Sequence, residues 1–192
     1  MRDLSLHILD IVQNSIKANA NIITIDLTQK YNQRLQKNML ELRVSDNGIG
    51  MDTELLNKAE DPFVTTRTSR KVGLGISLLK ESALKCDGEF KLISQKNKGT
   101  DVLAAFFIEH VDRLPIGDVG DTMLTLLIAN PEIQFILILS GDKGEFRLDT
   151  TEITNTLKGA IITEVEIINW LKEFVDEGIK KIFGGVLNEV NC

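Results

Sequence analysis

The sequence predicts an α+β fold, and three features carry that prediction. Apolar runs come in pairs joined by polar or glycine-bearing turns: alternating residues 23–27 with 40–44, alternating 90–94 with the partner strand 100–109, and the buried strand 133–140 with 145–148. Segments of helical period stand between these pairs and towards both ends of the chain. The third feature is a carboxylate followed by two spaced glycines, Asp46-Asn47-Gly48-Ile49-Gly50, placed where a strand ends and the backbone must turn.

Bulk properties bound the problem. At 192 residues the chain has length for one large or two small domains. A formal charge of -6 opposes nucleic-acid binding, which needs a positive face. Cys86 and Cys192 stand far apart with no Cys-x-x-Cys, so no metal or disulfide framework is indicated and a reducing cytoplasm fits. The amphipathic N-terminus lacks a signal core, and apolar runs such as residues 135–139 are far too short to span a bilayer. No membrane association is therefore expected.

Taken in order, residues 4–18 read as a helix with Ile8, Leu9, Val12 and Ile16 on one side. His7, Asp10, Asn14 and Lys17 form a polar stripe on the other. The stripe reads either as a solvated face, with His7 a surface or capping residue, or as a metal and water site. In the second reading the neutral oxygen of Asn14 serves Mg²⁺, and Asp10 orients or deprotonates a group attacking a terminal phosphate. Ile23, Ile25 and Leu27 mark the first strand, and Tyr31 to Asn38 a polar hairpin loop. Leu40, Leu42 and Val44 mark the second strand and bring Asp46 to its end. Asp-Asn-Gly is ordinary turn chemistry. An aspartate there also accepts hydrogen bonds only, which suits the exocyclic amine of adenine and disfavours the carbonyl of guanine.

Asp52 or Thr53 caps a short helix to Ala59. Residues 60–73 then lose all period and carry Arg67, Arg70 and Lys71, reading as a cationic lid over an anion. Gly73-Leu74-Gly75 opens the next helix, where free backbone N–H groups suit phosphate; Gly88 ends it. Two strands follow, joined at Lys96-Asn97-Lys98-Gly99, with Thr100 at the start of the second.

Together, Asp10-x-x-x-Asn14, Asp46-x-Gly48-x-Gly50, Gly73-x-Gly75 and Gly99-Thr100 resemble the motif series of the GHKL ATPases, the group of gyrase, heat-shock chaperone, histidine-kinase and MutL-type domains. The match covers roughly residues 4–109. It implies a two-layer α/β sandwich with a mixed sheet (the Bergerat fold) and binding of ATP with Mg²⁺. By that resemblance Asn14 holds Mg²⁺, Asp46 the adenine amine, and Gly48 and Gly50 the purine side. Gly73 and Gly75 meet the phosphates, and Thr100 sits beside Asp46. Residues 61–67, with Phe63, Thr65, Thr66 and Arg67, are similar to the lid segment of histidine kinases. Residues 71–78, with Lys71, Gly73, Leu74 and Gly75, are similar to their glycine-rich segment. One departure stands out: hydrolytic and serine-kinase relatives carry Glu where this chain has Asp10, one methylene shorter.

The chain opens on the first helix of such a domain, so the expected phosphoacceptor is a separate protein, and no DNA-binding or transducer domain is expected to follow. By the same resemblance, similar short proteins of anaerobic bacteria are often encoded beside iron-only hydrogenase and ferredoxin-type subunits, so redox proteins of that kind are expected partners. The expected division is an ATP-binding domain at 1–110 and an α+β extension at 111–192. In the extension, Val111 to Gly120 reads as a linker and Asp121 or Thr122 caps a helix. A buried strand, a hairpin and a last helix follow, the helix opened by a Thr163-x-x-Glu166 capping box and stopped by Gly184-Gly185. Ile167, Trp170 or Leu171, Phe174 and Ile182 are expected to face inward, Trp170 as core. The module serves partner docking or homodimerisation, or simply covers a sheet edge.

Overall fold

The computed structural model describes residues 1–59, 75–157, 162, 164–184 and 187. Its elements are α1 (Leu4–Lys17), β1 (Ile22–Asn32), β2 (Lys37–Asp46), α2 (Thr53–Ala59), α3 (Gly75–Lys85), β3 (Glu89–Gln95), β4 (Gly99–Phe107), α4 (Val119–Ala129), β5 (Gln134–Gly141), β6 (Gly144–Asp149), α5 (Thr150–Thr156) and α6 (Val165–Phe183). The lid expected over residues 60–73, with Phe63, Thr65, Thr66, Arg67, Lys71 and Gly73, lies outside the described residues, as do Leu74, Thr163 and Gly185.

Alternation along the strands builds one mixed sheet of six, in the order β3-β4-β2-β1-β5-β6. Only β1 and β5 run parallel; the other neighbouring pairs are antiparallel. Register stacks inward residues across the sheet, with Leu40 opposite Phe106, Leu42 opposite Ala104 and Val44 opposite Val102. Ile25 and Leu27 stand beside Leu137 and Leu139 of β5, all four fully buried. Helices α1, α3, α4 and α6 cover this face and close one continuous core, giving the two-layer α+β sandwich. The other face holds a small cluster of Met39, Ala105 and Phe107.

Several expectations are corrected. The β1–β2 ladder runs past the expected loop limits, pairing Tyr31 with Asn38 and Asn32 with Lys37, because a hairpin ladder needs backbone partners and not apolar side chains. The inward face of α1 centres on Leu4, Ile8, Ile11 and Ser15, and it includes His7, which is only 1% exposed and no surface residue. The expected linker is tied to the core at two points: Ile116 is buried, and the buried Arg113 guanidinium donates to the carbonyls of Ile108, Leu114 and Leu187. The N-cap of α4 is Asp118, whose carboxylate accepts from the Asp121 N–H at 2.7 Å.

Helix α5 was unforeseen. Its sequence, Thr-Thr-Glu-Ile-Thr-Asn-Thr, is poor in helix formers, but the Asp149 carboxylate caps it and the Thr150 hydroxyl accepts from the Phe135 N–H. Helix α6 begins at Val165 with Glu164 at the N-cap and no side-chain cap bond. Leu171, not Trp170, enters the core; Trp170 is 47% exposed. Among the described residues, no helix is long and apolar enough to cross a membrane.

Candidate functional site

The end of β2 sets the site. Asp46 emerges beside Thr100 of β4, its register partner, and both line a cavity of about 260 Å³. Helix α1 forms one wall through Ile11, Asn14, Ser15 and Ala18; Ile49, Gly50 and Met51 form another, and Leu55, Ile76 and Val102 close the floor. Most of these surfaces are apolar, as a flat ring requires, and the volume lies just under the roughly 300 Å³ at which drug-sized pockets begin.

The polar centre is the Asp46 carboxylate. Its Oδ1 accepts from the backbone N–H of Gly48 at 2.9 Å and of Thr100 at 3.2 Å, while Oδ2 accepts from the Ser15 hydroxyl at 2.7 Å. A carboxylate offers about four acceptor positions, so these three leave capacity for one more donor.

The loop after Asp46 is held from two sides. Asn47 Oδ1 accepts from the N–H groups of Asn21 and Ile22, each at 3.0 Å, and the Ile49 N–H donates to the Ala18 carbonyl at 2.8 Å. On the other side the Met51 N–H donates to the Ser94 hydroxyl, and the Asn97 N–H to the Ile49 carbonyl. The glycines make this closeness feasible. A Cβ on Gly48 would lie 2.6 Å from the Ala18 carbonyl oxygen, and Gly50, at φ +60, would put one 2.1 Å from that of Gln95. Gly50 lines the cavity; Gly48 is packed against the end of α1.

Asp10 and Asn14 follow one stripe of α1 away from Asp46. A Cβ on Gly75, the first residue of α3, would lie 2.9 Å from Asp10 Oδ2, so the N–H end of α3 abuts that carboxylate. Asn14 lines the cavity itself, and Lys17 supplies a cation to its rim. The neutral side-chain oxygen of Asn14 is a donor of the kind Mg²⁺ takes, a hard cation with few protein ligands. Among the described residues, no group of three or more His, Cys, Asp or Glu could hold a metal.

The structure thus gathers Asn14, Asp46, Gly50 and Thr100 at one cavity, with Gly48 behind the loop and Asp10 and Gly75 meeting beyond it. Sequence reasoning missed Ser15 and Ser94. Ser15 follows Asn14 directly but reads as core, and Ser94, which touches Met51, Gly99 and Thr100, looks like any serine in an alternating strand.

Comparison with known proteins returns a consistent picture. Residues 2–110 match the family described as histidine kinase-, DNA gyrase B-, and HSP90-like ATPase. A putative sensor protein of Shewanella frigidimarina is 31% identical over 109 residues, 55% of this chain and 16% of that protein. An uncharacterised sensor-like histidine kinase of Rhizobium meliloti is 32% identical over 103 residues, 50% of this chain and 18% of the relative. The autoinducer 2 sensor kinase/phosphatase LuxQ of Vibrio parahaemolyticus is 31% identical over 81 residues, 40% of this chain and 9% of LuxQ. The chain therefore spans less than a fifth of the length of each of these relatives. Among solved structures, the Aquifex aeolicus MutL ATPase domain complexed with ADP aligns with a TM-score of 0.51 at 18% identity, covering 88% of this chain and 70% of that one. This last likeness is one of fold.

Proposed function

Because the chain belongs to the histidine kinase-, DNA gyrase B-, and HSP90-like ATPase family, we propose that it binds ATP with Mg²⁺ over Asp46 and through that binding controls a separate protein. The observation that carries the reading is the Asp46 carboxylate, held by three donors with one acceptor position left towards an apolar cavity. The adenine amine is a donor and fits it. Guanine would set a carbonyl oxygen against a carboxylate oxygen. Ile49 and Val102 offer apolar surface to the ring, and the phosphates would follow α1 towards Asp10 and the start of α3.

Asn14 would hold Mg²⁺ through its side-chain oxygen. When bound, the ion neutralises charge that builds on the terminal phosphate. Asp10 stands where it can orient a water or an acceptor hydroxyl and take its proton. Its aspartate side chain shortens that reach by one methylene compared with glutamate, which favours slow hydrolysis and a binding-driven switch as the second reading.

The sensor and kinase relatives support a protein as the controlled partner. The proposal extends to a cytoplasmic setting, with a redox protein of hydrogenase or ferredoxin type, or a second copy of the chain, as candidates. Calorimetric titration with ATP and GTP, with and without Mg²⁺, tests the core of it. Saturable binding that prefers ATP and tightens with Mg²⁺ is expected; no binding of either nucleotide overturns the reading. Labelled γ-phosphate then separates the two modes, since transfer to a native partner is expected of a kinase and not of a switch.

A further inference from the structure

A second cleft lies away from the Asp46 pocket, between β6, α5 and α6. It measures about 310 Å³ and is lined by Leu148, Ile153, Leu157, Trp170 and Phe174, with Arg147, Asp149 and Glu152 among its polar groups. Trp170 is the chain's single tryptophan and stands 47% exposed. Its ring is not loose: it stacks on Phe174 with centroids 5.2 Å apart and planes 12° apart, and Phe174 in turn leans on Phe146 at 4.8 Å. The fold thus spends two further aromatic rings on holding an indole at the surface.

Charge says what could sit there. Arg147 is engaged by Asp149 at 2.8 Å and by Glu152 at 2.7 Å, so two carboxylates face one cation at the mouth of the cleft. Along α6, Glu166 stands one turn before Trp170, and Glu173 and Glu177 stand one and two turns after it, all exposed. From Glu166 to Glu177 this stripe runs on the order of 16 Å at 1.5 Å per residue. That is about three helical turns, the scale of a protein segment and longer than a small molecule.

We propose that this cleft docks a basic, amphipathic segment of a protein partner, its apolar side chains entering beside Trp170 and its Lys or Arg residues meeting Glu166, Glu173 and the indole face. Tryptophan is the best cation–π acceptor and a frequent energetic centre of interfaces, and a partner of opposite charge to a chain at -6 is drawn to such a stripe. The docking surface does not include any residue of the nucleotide pocket, so it stands or falls separately from the ATP reading.

The single tryptophan reports directly on its own site. Titrating the full chain with a short Leu/Lys/Arg helical peptide should shift its emission saturably, and raising the salt should weaken the response. The same peptide with Glu replacing Lys and Arg should give none. Glu166→Gln with Glu173→Gln should weaken binding several-fold by two rim charges, and Trp170→Ala should abolish binding of the labelled basic peptide read by anisotropy. Because Trp170 is half exposed, loss there with unchanged far-UV circular dichroism is a loss of docking and not of fold. No saturable response to the basic peptide, or an equal response to the acidic one, overturns the proposal. So does sedimentation showing a dimer of the chain alone that Trp170→Ala converts to monomer, since the cleft would then belong to a second copy. An Asp46→Asn chain should bind the peptide as the native chain does, whatever happens to its ATP affinity.

Discussion

At the scale of single residues, Asp46 is specified by what it accepts. Replacing it with asparagine keeps the shape but presents an NH₂ group or a neutral oxygen where an adenine amine should bind. Asp46→Asn should therefore weaken ATP affinity by about 1.5–3 kcal/mol, roughly ten- to more than a hundredfold, as read by calorimetry. Unchanged affinity would remove the pocket assignment. His7 poses the opposite case, a polar group without a partner: both ring nitrogens are buried and unbonded, and burial, with the nearby N-terminus, pushes its pKa down from 6.5 to about 4. The folded state thus keeps His7 neutral while the unfolded chain takes up a proton as pH falls through 6.5. Stability from this group is complete above that pH and is lost as pH drops towards 4, by at most roughly 3 kcal/mol. Urea midpoints measured between pH 4 and 7 should show this slope, and His7→Leu should flatten it. Asp46 was legible because its motif is local, a carboxylate and two glycines within five residues. His7 was not, because a periodicity argument places any histidine next to Asp10 and Asn14 on the wet side, and only the tertiary packing around α1 decides otherwise.

At the scale of elements, the Asp46 loop is narrow because two elements press on it. Gly50 is a tight point, with left-handed backbone and the Gln95 carbonyl where a Cβ would stand. Gly50→Ala should destabilise the protein by roughly 2 kcal/mol or more and impair nucleotide binding, as thermal melts and calorimetry would show. An alanine tolerated there with unchanged melting would mean that the loop does not need its contact with the β3–β4 turn. The strands and the long helices were readable because each carries its period over many residues; β1 alternates over Ile23–Leu27, β2 over Leu40–Val44, and α6 keeps its stripe. Helix α5 was not, since its stability comes from a single cap and a hydroxyl bonded to β5, neither of which leaves a repeating mark in seven residues. Trp170 fails for a related reason. Position on α6 cannot tell it from Leu171, and only the aromatic stack on Phe174 shows that the indole is held outward.

At the scale of the whole molecule, the sheet runs through both halves of the chain. β5 pairs with β1 over seven register positions, from Ile22 with Gln134 to Thr28 with Ser140, and α4 packs on α1. The Arg113 guanidinium and the Ile116 N–H both donate to the Leu187 carbonyl, binding the segment after β4 to the far end of the chain. A chain shortened to residues 1–110 would present the edge of β1 to solvent along those seven positions, beside fully buried Ile23, Ile25 and Leu27. Open, apolar edges of this kind pair with one another. The shortened chain should therefore self-associate in size-exclusion chromatography and unfold at a lower urea concentration than the full chain, even though all the described residues at the Asp46 cavity are retained. If it is instead monomeric and binds ATP with native affinity, residues 111–192 are a separable module, and their work lies in docking rather than in completing the sheet. Peptide docking at Trp170 must in that case disappear from the shortened chain while nucleotide binding remains.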